Sequence, residues 1–122
     1  MVLVEFKKPR RKKSPEKIEE ERIYKEWADS IKKGDSYSCF ICEAHESLNS
    51  HHIVPREHKE FLLEYDNGIT LCTKHHKFSR VISAHNNPLA FFLILQKYRP
   101  KQYEKAVERT KKILLDNEGI VL

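Results

Sequence analysis

At 122 residues, 39% apolar and 34% charged, the chain has the size of one domain with a modest core; a metal-stapled or loop-rich fold suits that balance better than a large oily interior. Its net charge of +5 and pI near 9.1 favour nucleic acid ahead of a membrane surface as a polyanionic partner, while composition alone leaves a basic protein with no anionic partner equally open. Three cysteines argue against a closed secreted disulfide framework, and the longest apolar run, residues 89–95, is far short of the roughly 20 residues a membrane helix needs.

Residues 1–6 (MVLVEF) suit a short strand or a frayed end, and the acidic Glu5 within them spoils a signal peptide. A soluble, intracellular protein is therefore expected. Residues 7–13, KKPRRKK, form the basic part of an arm over 1–14. Like charges repel and Pro9 blocks a helix, so the arm is expected to be irregular when free. It reads as a phosphate-tracking segment, with a solvated tail as the alternative.

Ser14-Pro15-Glu16 reads as a helix start, serine as the cap and proline in the first turn. Glu16, Glu19, Glu20 and Glu21 suit the positive end of its dipole. Ile23, Trp27 and Ile31 recur every four residues beside Tyr24 and Ala28, and Gly34 is the expected stop. The spacing predicts one amphipathic helix over about 15–34, its stripe packed on a core rather than forming a dimer face.

All three cysteines and six of the seven histidines lie within residues 39–76. Cys39-x2-Cys42 and Cys72-x2-His75 are two knuckles separated by 29 residues. Together they make a Cys3His set, a combination that closes a tetrahedral Zn²⁺ site and leaves no open position, so this zinc is expected to hold structure. Three buried free cysteines are the weaker alternative. His51-His52-Ile53-Val54-Pro55 lies between the knuckles. Adjacent histidines offer one metal ligand and one general base, or mere surface decoration. Strand geometry sends neighbours to opposite faces, so both serve one site only if the backbone twists there.

Asn86-Asn87-Pro88 reads as a turn that starts another helix. The segment 89–98 is apolar on nearly all sides and is expected to be largely buried. Pro100 breaks it. A last helix follows over about 101–116, with Tyr103, Val107, Thr110 and Leu114 on one side and lysines on the other.

The order CxxC, HHIVP, DNGITLCxxHH closely resembles the HNH endonucleases, whose nuclease centre is a ββα-metal (His-Me) finger. The resemblance covers about residues 39–80, with a helical continuation to about 100. The flanks Ser83-Ala84-His85-Asn86-Asn87-Pro88 and Lys97-Tyr98-Arg99-Pro100 are similar to phage-encoded HNH proteins. The implied fold is α+β: a small ββα-metal core with structural zinc knuckles, flanked by N- and C-terminal helices, in a single domain over 15–122. The implied activity is metal-dependent hydrolysis of DNA phosphodiester bonds, nicking or cleaving, with low intrinsic sequence specificity. If phage-encoded, the protein would work in the host cytoplasm.

The resemblance also implies roles. His52 matches the general base that activates water, and His51 the preceding ligand of the catalytic divalent ion, Mg²⁺ or Mn²⁺. Asn67 matches the middle residue that orients the base and fixes the loop, and His76 a second metal ligand at the start of the finger helix. The family usually closes its zinc site with CxxCH, whereas this chain has Cys72-Thr73-Lys74-His75-His76. Neighbours on a helix differ by about 100°, so His75 is assigned to zinc and His76 to the catalytic ion.

Some relatives carry a further histidine four residues after His76, where this chain has Arg80. Arg80 would share the helix face of His76 and grip a phosphate with Lys74 and Lys77, or be a solvated charge. His85 would reach the metal only if the helix ends before it; a turn or capping role is the preferred reading. The rival functions are a non-catalytic, zinc-stabilised nucleic-acid-binding module and a phage accessory protein docked on DNA-processing or packaging machinery.

Overall fold

The computed structural model describes residues 11–122. The expected strand at 1–6 and most of the basic arm therefore lie outside the described residues. The first helix, α1 (Pro15–Gly34), begins where the sequence places it. The Ser14 hydroxyl accepts from the Lys17 N–H at 3.2 Å, and Pro15 occupies the first turn, where a missing N–H leaves no bond unmade. Trp27 and Ile31 are buried, but Ile23, expected on the same stripe, is exposed. Its neighbour Tyr24 is the most N-terminal stripe residue to touch the β-hairpin, through His52.

The helix ends at Gly34, as the sequence places it, but the device that ends it differs. Gly34 is the last helical residue, Asp35 is the cap, and Ser36 and Tyr37 make the reversal at φ of 56° and 53°. A bond from the Tyr37 N–H to the Lys32 carbonyl at 2.8 Å secures it. Gly34 instead leaves room for the Tyr65 hydroxyl, which a Cβ would strike.

Strands β1 (Leu48–His52) and β2 (Gly68–Cys72) form an antiparallel hairpin whose register runs from Leu48 opposite Cys72 to His52 opposite Gly68. Alternation then divides the hairpin between two layers. Ser50 and His52 face α1: the Ser50 hydroxyl donates to the Ala28 carbonyl at 2.7 Å, and His52 stacks on Trp27. Gly68, opposite His52, lies so close to α1 that a Cβ would sit 2.5 Å from Ile31 and 2.7 Å from Trp27. Ile69 and Leu71 belong to the other layer, in a core with Phe91, Leu95 and Ala106.

After β2 the chain makes one π-helical turn, Lys74–Phe78, and then two helices, α2 (Pro88–Tyr98) and α3 (Pro100–Glu118). The helix expected over 89–98 is thus present, but not largely buried. Only Phe91 and Leu95 are buried, while Leu89, Leu93 and Tyr98 are 71%, 59% and 63% exposed. The hairpin and α3 pack on one side of α2, and among the described residues nothing covers the other. On α3 the buried residue is Ala106, with Tyr103 and Ile113 packed against the core, whereas Thr110 from the expected stripe is exposed.

Asp35 joins the layers. Its carboxylate accepts from the Thr70 N–H at 2.9 Å and pairs with the Arg99 guanidinium at 2.9 Å. The result is an α+β domain, a hairpin and one helical turn between an N-terminal helix and two C-terminal helices.

Candidate metal centres

Cys39 and Cys42 lie on the loop before β1, Cys72 ends β2, and His75 belongs to the π-turn. Cys39 Sγ is 3.8 Å and Cys72 Sγ 3.3 Å from His75 Nδ1, and the Cys42 and Cys72 sulfurs are 3.7 Å apart. A disulfide needs about 2.05 Å. A tetrahedral Zn²⁺ with bonds of about 2.3 Å to sulfur and 2.0–2.1 Å to nitrogen implies separations of about 3.8 Å (S···S) and 3.6 Å (S···N). The four donors therefore fit zinc, and all lie within 4.8 Å of one another. Burial pushes the Cys39 thiol up, but the backbone bonds of Cys72, Cys42 and Ile41 outweigh it and hold the group below its usual range. A thiolate is the form that binds zinc.

A second group, separate from the first, is made by His51, His76 and His85, whose nitrogens also lie within 4.8 Å of one another. The backbone explains why His85 is there. The π-turn closes with a bond from the Ser79 N–H to the Lys74 carbonyl at 2.8 Å, and Ser79 is extended, so the helical segment ends before residue 85. The chain returns alongside the turn. Ala84 N–H donates to the His75 carbonyl at 3.0 Å and His85 N–H to the His76 carbonyl at 3.1 Å. Asn86 ties the return to the Lys77 carbonyl, and the buried Ser83 hydroxyl accepts from the Asn86 N–H at 3.0 Å.

The His76 and His85 Nε2 atoms are consequently 3.0 Å apart, and the His51 ring stands edge-on to both, with centroids at 5.1 and 5.3 Å. Phe91 closes the inner side, 5.6 Å from His51. His85 lies in a turn over residues 84–86, the preferred reading, and its ring also joins the cluster, as its weaker reading as a ligand of the ion requires. The expectation for Arg80 is corrected. The residue lies beyond the extended Ser79, so it does not share a helix face with His76. Lys74, Lys77 and Arg80 are all exposed.

Metal–nitrogen bonds of about 2.1 Å at right angles place two donor nitrogens about 3.0 Å apart, so the His76–His85 spacing suits neighbouring positions of an octahedral ion. Burial, then the charges of His76, His85 and His52, push His51 down to about 3. Burial, then His85 and Lys77, push His76 down to about 4. Both rings are neutral near pH 7, the form that donates a lone pair to a metal.

His52 stands apart from this cluster. Strand alternation holds at residues 51 and 52, so the two rings diverge: His51 toward Phe91, His52 onto Trp27 with centroids 4.2 Å apart and planes 8° from parallel. His52 is 8% exposed. Its Nε2 is 3.0 Å from the Leu62 carbonyl. A carbonyl only accepts, so Nε2 carries the proton and Nδ1 keeps the lone pair. Burial lowers the ring's pKa, the Leu62 bond opposes that, and the Arg56 charge adds to the lowering.

Asn67 is 1% exposed and pins the long loop after β1. Its Oδ1 accepts from the Val54 N–H at 2.8 Å, and its Nδ2 donates to the Val54 and Phe61 carbonyls at 3.2 and 3.1 Å. Phe61 directly precedes His52's partner Leu62, so the amide steadies that loop backbone without bonding the His52 ring itself.

Two contributors escaped the reading by motif. Trp27 looks like ordinary core from its helical spacing, yet it is the surface on which His52 rests. Arg56, directly after HHIVP, lies over the Tyr24 ring at 5.4 Å, and Tyr24 in turn is 5.8 Å from His52. An aromatic pair spaced i, i+3 on α1 was the available signal, but spacing alone does not say what a stripe faces. No family model, curated protein or solved structure matches this chain.

Proposed function

We propose that the chain is a metal-dependent endonuclease of the HNH type, hydrolysing DNA phosphodiester bonds by nicking or cleaving with low intrinsic sequence specificity. The observation that carries this reading is the convergence of His51, His76 and His85 beside a Cys3His group that includes His75, the residue just before His76. His51, His76 and His85 would hold a divalent ion, which would supply Lewis-acid stabilisation of the charge on the phosphate and the leaving oxygen. Three imidazoles suit Mn²⁺ or a later first-row ion better than Mg²⁺, which prefers oxygen ligands. The zinc clamp holds structure.

His52 is the general base. Its Nδ1 lone pair takes a proton from water as the water oxygen bonds to phosphorus; the phosphorus–oxygen ester bond breaks, and the leaving oxygen takes a proton from solvent. The Leu62 carbonyl keeps Nε2 protonated and so keeps the reactive lone pair on Nδ1. Asn67 acts one step further out, holding the backbone on which the base depends. Lys74, Lys77 and Arg80 contact the DNA backbone without reading bases.

One observation favours a second reading, a zinc-stabilised nucleic-acid-binding module without catalysis: His52 is buried on the face of the hairpin opposite His51. Plasmid cleavage separates the two. Zinc-loaded protein, assayed with Mg²⁺, Mn²⁺, Ni²⁺ and Zn²⁺, is expected to nick with at least one ion, and His52→Ala to abolish nicking with zinc content and folding intact. Undiminished cleavage by His52→Ala, in protein cleared of contaminating nuclease, would sink the role of His52; no cleavage by wild type with any ion favours the binding module.

A further inference from the structure

We propose that Arg56 is a further catalytic residue, its guanidinium gripping the non-bridging oxygens of the scissile phosphate beside His52. The inference rests on the nuclease reading above. It starts from position. Arg56 follows Pro55 on a segment whose backbone is fixed to Asn67, with Ile53 N–H donating to the Asn67 carbonyl at 2.9 Å and Val54 held by both ends of the Asn67 amide. The His58 N–H bonds the Pro55 carbonyl at 3.0 Å and turns the chain immediately after it.

The side chain is oriented as well. Its guanidinium lies over Tyr24, 5.4 Å from the ring centroid, and Tyr24 leans on both Trp27 and His52 at 5.8 Å. A cation held on an aromatic face loses less freedom when it engages a ligand. The Arg56 charge is also felt at the His52 ring.

Among the described residues the charge has no partner of its own. Arg22 pairs with Glu19 and Glu26, Arg99 with Asp35, and Arg109 with Asp66. Among the described residues no carboxylate lies within ion-pairing distance of Arg56. Arg80 is likewise unpaired among the described residues, but it lies past the π-turn and, unlike Arg56, is not mounted on an aromatic ring. An exposed guanidinium mounted on the aromatic ring that adjoins a base with a free lone pair has the chemistry to receive a phosphodiester. Its planar fork matches two phosphate oxygens, and attack by water increases the negative charge on those oxygens.

The test uses the full chain, loaded with zinc and supplied with Mn²⁺, acting on a fluorescent DNA duplex. Arg56→Ala is expected to lower kcat by about 10²-fold with KM changed only a few-fold, as for removal of one donor to a developing oxyanion. Melting temperature and Mn²⁺ affinity should match wild type. Arg56→Lys keeps the charge without the fork and is expected to recover part of kcat, and added guanidinium ion to restore part of the activity of Arg56→Ala.

A kcat for Arg56→Ala within threefold of wild type overturns the inference and leaves the nuclease reading standing. A fall in kcat that follows a fall in melting temperature or Mn²⁺ binding also overturns it, and assigns Arg56 to packing. A wild-type chain that cleaves nothing overturns the nuclease reading and this inference with it.

Discussion

Replacing His85 with alanine tests the second metal centre where its geometry is most specific. His85 is exposed, and its backbone N–H bond to the His76 carbonyl does not involve the side chain. Folding stability should therefore change by no more than about 0.5 kcal/mol. The metal loses one of three imidazoles, the one whose Nε2 stands 3.0 Å from that of His76. Loss of an outer-shell partner already weakens a metal site about 10–100-fold, so loss of a direct ligand should weaken it by about 100-fold or more. That corresponds to about 2.7 kcal/mol.

Zinc-replete protein titrated with Ni²⁺ by calorimetry would measure the change. Trp27, the chain's sole tryptophan, stacks on His52 and gives a second signal through paramagnetic quenching by Mn²⁺. A variant that binds both ions within twofold of wild type would refute the three-histidine site. Weaker binding accompanied by a lower melting temperature would instead show that His85 holds the return segment.

Cys42→Ser should lower zinc affinity at least 100-fold and the melting temperature by several degrees, because zinc binding is coupled to folding of the loops it joins; elemental analysis and thermal melts check this, and full zinc retention would count against the clamp. A pH dependence follows from His51 and His76, which burial holds at about 3 and about 4. Their depressed values mean that the unfolded chain takes up protons first as pH falls below about 6.5, so this stability is present above that pH and is lost as pH drops toward 4. The slope is at most about 1.4 kcal/mol per pH unit for each ring, less where solvent reaches them. Thermal melts between pH 7 and 5.5, with the second centre metal-free and zinc verified, should fall with pH, and fall less steeply for His51→Gln; identical slopes would contradict the assignment.

Much of the site was legible because its signals are local. A CxxC turn brings two sulfurs together wherever it occurs, and a CxxH turn does the same for Cys72 and His75. Ser14 and Pro15 start a helix by satisfying or removing N–H groups within a few residues. What failed depended on partners distant in sequence. The apolar sequence of α2 does not reveal how many layers cover it, and among the described residues only one side is covered. The end of α1 at Gly34 is legible, but the role of that glycine is not: it makes room for Tyr65, 31 residues on, while Ser36 and Tyr37 take the left-handed conformation.

By itself, the sequence determined the donor atoms: three thiols and His75 for one centre, and imidazoles in the right order for another. Only the tertiary structure decided how they divide. The π-turn ends at Phe78, the chain folds back to bond residues 84 and 85 to the carbonyls of His75 and His76, and His85 thereby reaches a cluster that an unbroken helix would have carried it away from. Strand alternation likewise gave His51 to the metal-suited side and His52 to Trp27. A ligand's identity is covalent and local. Its partners depend on where the backbone turns, and that is fixed by hydrogen bonds and packing between elements far apart in the chain.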